Sequence, residues 1–223
     1  MEVPMLINDF LYRARDLYGE KEAVVDGSQR FTYNQFAERC FRLANALTNL
    51  GIKKGDRVGI LSPNSHYFLE SFYGTSLIGA VLVPLNYRLV SNDFQYAFSH
   101  AGVRIILADS ELTNSLDEIR PRLPAVEHWI VARFHDAPVP EGWLDWEALV
   151  NVATPTPPES PEIDENDLVS INYTSGTTAR PKGVMLTHRN FYINAYNFIS
   201  HLGISHDDNE MWTLPMFHCN GWG

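Results

Sequence analysis

Hydrophobic and polar positions near the N-terminus predict a strand hairpin followed by a helix with one buried face. The hairpin covers residues 23–33 and turns at an Asp-Gly pair. Thr32 then begins the helix, because Gln35 stands three residues later and completes a capping box. Apolar residues recur at helical spacing after this point, at Phe36, Cys40, Leu43, Ala44, Leu47 and Leu50. Gly51 is expected to end the helix as a C-cap.

Further along the chain, short apolar strands alternate with helical patterns. The predicted strands are residues 58–61, 81–83, 105–107, 129–131 and 168–173, and the predicted helices are residues 64–79, 92–101 and 111–120. Continuous apolar strands separated by helices are typical of a parallel sheet covered on both faces. We therefore expect an α/β fold of stacked, mostly parallel sheets flanked by helices.

A Pro-rich acidic segment, residues 154–167, interrupts this alternation. Its four prolines and five acidic residues, with no basic residue, are typical of a solvated linker or surface loop. Beyond it, a polar loop is predicted over residues 174–183 and a short strand over 212–214. A helix is predicted from Thr187, with one apolar face made of Phe191, Ala195, Phe198, Ile199 and Leu202.

Composition and charge narrow the class of protein. The 223 residues, 45% hydrophobic and 20% charged, suit one large α/β domain or two small ones. A formal net charge of -10 argues against a nucleic-acid partner. The most apolar stretch, residues 76–85, is shorter than the about 20 residues that a transmembrane helix needs. With no signal peptide and only two cysteines, we expect a cytoplasmic protein without a transmembrane segment.

The candidate chemistry lies in the polar loop at residues 174–183. Its small polar residues and its lysine are Thr174, Ser175, Gly176, Thr177, Thr178 and Lys182. Hydroxyls, backbone N–H groups and a cation without a competing carboxylate suit a polyphosphate. Because the loop follows a buried strand, it should emerge at the carboxyl end, where ligands bind in open α/β sheets. It is not a P-loop, since Lys182 precedes the second glycine.

This string closely resembles the signature loop of the adenylate-forming superfamily, which includes acyl-CoA synthetases, beetle luciferases and the adenylation domains of peptide synthetases. In that family the loop closes over the β- and γ-phosphates of ATP. The resemblance implies that Lys182 is catalytic and that the ATP phosphates are bound by Thr174, Ser175, Gly176, Thr177, Thr178 and Lys182. Ala179 replaces the commoner glycine and implies a stiffer loop.

Residues 214–221 resemble the next motif of the same family, in which an aromatic–His pair borders the acyl pocket. The resemblance gives His218 a catalytic and substrate-binding role, as a residue that gates or orients the acyl group. It also makes Gly221 a substrate-binding position that keeps the pocket floor open. The polar residues 86–88 follow a predicted strand and could approach a ligand, but we interpret them as structural.

The resemblance covers nearly all of the chain and implies an acid–thiol ligase. It would use ATP to convert a carboxylic acid, either a fatty acid, which we favour, or an aryl acid, into an acyl-adenylate and would then form a thioester with coenzyme A. Mg²⁺ would act with ATP, and no metal ligand of the protein is assigned within this chain. The resemblance leaves three other classes of protein open: an adenylation domain, a luciferase-like enzyme and a non-catalytic nucleotide-binding module. It also leaves open whether the protein is a homodimer.

The resemblance also suggests that the chain is a fragment. Residues 1–223 would form an incomplete N-terminal large domain of an acyl-CoA synthetase-like fold, with the small C-terminal domain absent. The adenine, ribose and metal contacts of the family have no matching positions here. We therefore expect the fragment by itself to be inactive.

Overall fold

The computed structural model describes residues 3–133, 137–174 and 180–218. Its helices are α1 Asn8–Tyr18, α2 Tyr33–Asn49, α3 His66–Leu77, α4 Ser91–Ala101, α5 Thr113–Ile119, α6 Trp146–Val152 and α7 His188–Leu202. Its strands are β1 Glu22–Asp26, β2 Gln29–Thr32, β3 Arg57–Leu61, β4 Val81–Pro84, β5 Val103–Asp109, β6 His128–Ala132, β7 Leu144–Asp145, β8 Leu168–Thr174 and β9 Lys182–Thr187. No helix among the described residues combines the length and apolarity needed to cross a bilayer.

A seven-stranded sheet in the order β7-β6-β5-β3-β4-β8-β9 organises the described residues. Every neighbouring pair from β7 to β8 is parallel, and β9 alone runs antiparallel, against β8. Strands β1 and β2 form the separate antiparallel hairpin predicted near the N-terminus. The expected α/β fold, a mostly parallel sheet flanked by helices, is confirmed.

Successive residues of the central strands enter two different cores, one on each face of the sheet. In β5, Ile105 and Leu107 belong to the core that contains residues of α1, α2, α3 and α6. Ile106 lies between them in sequence and belongs to the core that contains residues of α4 and α5. Side chains alternate across a strand, so covering both faces requires the continuous apolar runs seen in the sequence.

Short capping signals determine where two of the helices begin. The Thr32 side chain accepts a hydrogen bond from the Gln35 N–H at 3.3 Å, and the Gln35 side chain accepts one from the Thr32 N–H at 2.9 Å. This is the predicted capping box. Thr187 and Asn190 form the same arrangement at the start of α7. Gly51 follows α2 with a φ of 88°, the left-handed conformation expected of a glycine that ends a helix.

Four elements were not predicted from the pattern: α1, β7, α6 and β9. The start of α1 has no side-chain cap, so this helix lacks a start signal although apolar residues recur at helical spacing along it. Strand β7 has two residues and α6 has seven. Elements this short do not establish a period, and tertiary contacts define them.

The apolar face of α7 is buried at its start and exposed further along. Phe191 is 6% exposed and packs edge-on against Phe72, with ring centroids 5.1 Å apart. Phe198, Ile199 and Leu202 are 45%, 43% and 64% exposed. Within the described part of the chain, the predicted face therefore contacts the core over one turn of the helix.

The Pro-rich segment 154–167 is attached to the surface of α2 and α3. The Asn45 side chain donates to the carbonyls of Thr154 and Thr156, at 2.8 and 2.9 Å. Ser160 Oγ donates to the Leu77 carbonyl at 3.1 Å. These hydrogen bonds hold the segment in place although it has no regular secondary structure of its own.

Candidate functional site

The loop predicted to bind phosphates lies at the tip of the β8–β9 hairpin. Thr174 ends β8, Lys182 begins β9, and the two residues pair across the stem. The predicted loop was too long at its far end, because Lys182 and Gly183 pair with β8 and belong to β9. Four predicted phosphate-binding residues lie outside the described residues, so their role stays a prediction: Ser175, Gly176, Thr177 and Thr178.

The hairpin tip lies at the carboxyl edge of the sheet. Strand β8 is parallel to β4, and β4 is parallel to β3, so all three strands end at the same edge. Ligands of open α/β sheets bind at this edge, as the position of the loop after a buried strand suggested.

The two ends of the loop leave polar groups open to solvent. Thr174 and Lys182 are both exposed. Within the described ranges, no carboxylate lies within ion-pair distance of the Lys182 ammonium group, which leaves its charge free to bind an anion. A Cβ atom at Gly183 would lie 2.8 Å from Ile171 Cγ2, so the backbone beside Lys182 packs more closely on β8 than other residues would allow.

Two aromatic residues of α4, here called the α4 ledge, hold both sides of the hairpin stem. The Tyr96 hydroxyl donates to the Pro181 carbonyl at 3.3 Å, and the Arg180 guanidinium carbon lies 5.5 Å from the centre of the Tyr96 ring. The ring of His100 shares a hydrogen bond of 2.7 Å with the Tyr173 hydroxyl on β8. The sequence analysis missed the ledge, although its two residues are four apart on a predicted helix and so lie on one face.

The environment of Tyr173 keeps its hydroxyl protonated. Burial, together with a smaller contribution from the nearby Tyr96, raises the pKa of this phenol to about 12. The hydroxyl therefore retains its proton for the bond to His100 throughout the neutral range. Tyr173 itself therefore carries no charge near pH 7.

The second motif forms a turn that is held by a side chain. Residues 212–214 pair with no strand in the described part of the chain, so the strand predicted there was wrong. Asn64 takes the place of a neighbouring strand: its Nδ2 donates to the Leu214 carbonyl at 2.7 Å, and its Oδ1 accepts from the Met216 N–H at 2.8 Å. The His218 N–H then donates to the Pro215 carbonyl at 3.0 Å and closes the turn.

This turn also lies at the carboxyl edge of the sheet. Asn64 follows β3, and Tyr87 follows β4. The rings of Tyr87 and Phe217 meet nearly at right angles, with centroids 5.4 Å apart, so the interpretation of Tyr87 as a structural residue agrees with this contact. His218 is exposed at the end of the turn, and Gly221 lies outside the described residues.

The two motifs therefore share an edge of the sheet without a direct polar or ring contact among the described residues. No hydrogen bond or ring contact joins the hairpin residues 174 and 180–182 to the turn 215–218 where the structure describes both. Likewise, no cluster of three Asp, Glu, His or Cys side chains that could hold a metal ion occurs in the described ranges. The hydroxyl groups and the lysine suit an anion better than a hard cation, which prefers carboxylate and carbonyl oxygens.

Comparison with known proteins supports a specific assignment. A family model for AMP-binding enzymes matches residues 11–223. A peroxisomal butyrate–CoA ligase and a peroxisomal benzoate–CoA ligase, both from Arabidopsis thaliana, are each 35% identical over 99% of this chain. The chain spans 40% of the length of either relative.

The solved structures agree with this. An anthranilate CoA ligase in complex with anthranoyl-AMP matches with a TM-score of 0.82 and 28% identity, over 88% of this chain and 37% of that one. The family match extends over most of the sequence and includes both motifs at the sheet edge. This chain therefore belongs to the family of AMP-binding enzymes.

Proposed function

We propose that the full-length protein is an acid–thiol ligase that activates a carboxylic acid with ATP and transfers it to coenzyme A. The chain spans 40% of its curated relatives, so we also propose that residues 1–223 are the N-terminal part of a larger enzyme. The observation that carries the proposal is the hairpin tip, which presents the exposed Lys182 at the ligand-binding edge of a family member's sheet.

In the first step, a carboxylate oxygen of the acid attacks the α-phosphorus of ATP. The bond from the α-phosphorus to the bridging oxygen breaks, and pyrophosphate leaves with that electron pair. Negative charge grows on the leaving group, so a cation held beside it lowers the barrier. We assign this role to Lys182, and phosphate binding to the hydroxyl and N–H groups of residues 174–178. Magnesium would arrive with ATP and neutralise part of the phosphate charge.

In the second step, the sulfur of coenzyme A, having lost its thiol proton to solvent, attacks the acyl carbon, and AMP leaves with the electron pair of the broken carbon–oxygen bond. A thioester forms as the acyl–phosphate bond breaks. We propose that His218, at the end of the Asn64-bound turn, orients the acyl group in both steps. Its exposed position at the sheet edge supports this role.

The acid is proposed to be apolar. Met216 is 8% exposed, and Trp212 and Phe217 pack against the core beside it, so the turn has an apolar base. The names of the relatives cover a short aliphatic acid and an aromatic acid. A fatty acid remains our specific proposal. Acid-dependent exchange of pyrophosphate into ATP, measured with butyrate, octanoate and benzoate, tests it: the proposal requires the highest kcat/KM with an aliphatic acid.

The assignment of Lys182 is tested by Lys182→Ala in the full-length enzyme. Loss of a charged hydrogen bond costs about 1.5–3 kcal/mol, so acid-dependent pyrophosphate exchange should fall by about one to two orders of magnitude. Thioester formation from preformed acyl-adenylate should change by less than about threefold, because pyrophosphate takes no part in it.

A matched control separates this effect from a general loss of positive charge. Lys53→Ala removes another exposed lysine, which precedes β3 at the opposite edge of the sheet, and should leave both half-reactions unchanged. An equal loss in the two half-reactions of Lys182→Ala would refute the assignment. Replacing coenzyme A with a carrier protein in the second half-reaction distinguishes a ligase from an adenylation domain.

The compartment and the oligomeric state stay predictions. Cytoplasmic location was inferred from the composition and from the absence of a targeting signal, whereas both plant relatives are named as peroxisomal enzymes. Fractionation of cells that express the full-length protein would decide the compartment, and sedimentation would decide between a monomer and a homodimer.

A further inference from the structure

We propose that Asn64 is a positioning residue, which fixes the turn of residues 215–218 and thereby determines the affinity for the acid. The inference rests on the proposed function, because it assigns the acid subsite to that turn. It adds a residue that lies about 150 positions from the motif it would support.

The contacts of Asn64 match the chemistry of the segment it holds. Pro215 has no N–H group, so a neighbouring strand could not form regular hydrogen bonds across it. The Asn64 amide bonds to the residues on either side instead, donating to Leu214 and accepting from Met216. A carboxamide offers a donor and an acceptor on one short side chain, whereas aspartate can only accept and leucine can do neither.

Asn64 itself stands on a rigid base. It lies between the end of β3 and the start of α3. The next residue, Ser65, caps α3 by accepting from the Phe68 N–H at 3.4 Å, and its hydroxyl lies 3.1 Å from the hydroxyl of Ser62. Ser62 and Ser65 are both buried. The backbone that carries Asn64 is therefore held on both sides.

A second contact holds the same turn from the next strand. The ring of Phe217 rests against Tyr87, which follows β4, and Met216 is buried. The turn is thus attached to loops after two adjacent parallel strands, one through a pair of hydrogen bonds and one through an aromatic contact. His218 follows these contacts directly, so the position of its side chain depends on them.

Amide hydrogen exchange of residues 1–223 tests the two hydrogen bonds between Asn64 and the turn without relying on any activity. Asn64→Ala removes the acceptor of the Met216 N–H, and one hydrogen bond of about 1 kcal/mol corresponds to about fivefold faster exchange of that amide. Asn45→Ala is the matched control, since Asn45 is also an asparagine whose side-chain amide donates to a segment far away in the sequence. It should leave the Met216 amide unchanged. An unchanged exchange rate of the Met216 amide in Asn64→Ala would show that Asn64 does not hold the turn.

Kinetics of the full-length enzyme test the consequence. Asn64→Ala should raise the KM for the acid at least about fivefold and leave the KM for ATP within about twofold, because no hydrogen bond or ring contact joins the hairpin stem to the turn among the described residues. Asn45→Ala should change neither value. An equal rise in both KM values would indicate a general structural effect and overturn the positioning role.

The two proposals can fail separately. If the unsubstituted enzyme shows no acid-dependent pyrophosphate exchange, then the proposed function fails and the role of Asn64 toward the acid fails with it. The hydrogen-exchange result still decides whether Asn64 holds the turn. If the enzyme is active and the KM for the acid is unchanged in Asn64→Ala, the positioning role alone is refuted.

Discussion

At the scale of single residues, His188 connects the N-terminal segment to helix α7. The side chain is fully buried, and its Nδ1 accepts a hydrogen bond from the Ile7 N–H at 3.3 Å. Its Nε2 has no partner among the described groups. Burial lowers the pKa of His188 to about 4; Asp167 opposes this change and Lys54 adds to it. The imidazole is therefore neutral at pH 7, as its role as an acceptor requires.

This environment predicts a pH-dependent loss of stability. Between the ordinary pKa of 6.5 and about 4, the unfolded chain binds a proton at His188 that the folded chain does not. The free energy of unfolding should therefore decrease as the pH falls through this window, by at most about 3 kcal/mol at 1.36 kcal/mol per pH unit, and this contribution should level off below about 4. Urea unfolding at pH 7, 5.5 and 4 measures this decrease in the free energy of unfolding.

His188→Asn isolates the effect of the histidine from that of the carboxylates. The Asn side chain keeps an acceptor for the Ile7 N–H but cannot bind a proton, so the variant should lose less stability than the unsubstituted chain between pH 7 and 4. His201→Asn replaces an exposed histidine of the same helix and serves as the control. Identical pH profiles for His188→Asn and the unsubstituted chain would contradict the prediction.

At the scale of elements, α7 and the β8–β9 hairpin show what the spacing of apolar residues predicts and what it does not. The apolar spacing along α7 correctly identified a helix, yet its last two turns lie exposed in the described structure. Strand β9 was not predicted: its first two residues, Lys182 and Gly183, were assigned to the polar loop, and residue types like these are uncommon in strands. It is a strand because an antiparallel partner, β8, stands beside it. Contacts with neighbouring elements thus determine both how much of α7 is buried and whether β9 is a strand.

A pair of substitutions on α7 tests this difference. Phe191→Ala should lower the free energy of unfolding by about 3–5 kcal/mol, because it leaves a cavity beside Phe72. Ile199→Ser should change it by no more than about 0.5 kcal/mol, because Ile199 is 43% exposed. Denaturant titration of residues 1–223 measures both. A cost above about 1.5 kcal/mol for Ile199→Ser would mean that this face is packed in solution.

At the scale of the whole molecule, the described residues provide one edge of a site. The hairpin stem and the Asn64-bound turn lie at the carboxyl ends of neighbouring strands, and no hydrogen bond or ring contact joins them in the described ranges. The relatives are about two and a half times as long, since this chain spans 40% of them. A ligand that touches a single wall loses most of the enclosure that typical small-molecule sites provide.

We therefore predict that residues 1–223 alone bind ATP weakly and form no acyl-CoA. Titration calorimetry with Mg–ATP should give a dissociation constant at least about tenfold above that of the full-length enzyme, or about 1.4 kcal/mol. Chromatography of a reaction with acid, ATP and coenzyme A should detect no thioester above the enzyme-free background. Clear thioester formation by the isolated chain would contradict the prediction.

The sequence by itself determined most of the local structure. The capping box at Thr32, the start of α7 at Thr187, the glycine after α2 and the five apolar strands β3, β4, β5, β6 and β8 were predicted correctly, because each signal lies within a few neighbouring residues. The phosphate loop was placed at the end of a buried strand for the same reason, and the family followed from two short motifs.

Tertiary structure decided everything that depends on residues far apart in the chain. The strand order, the antiparallel addition of β9 and the α4 ledge under the hairpin have no local signal. The hydrogen bonds between Asn64 and the turn at Pro215 are formed across about 150 residues. Sequence patterns report the preference of a segment for a conformation, whereas such contacts exist only after the sheet has brought separate segments to one edge.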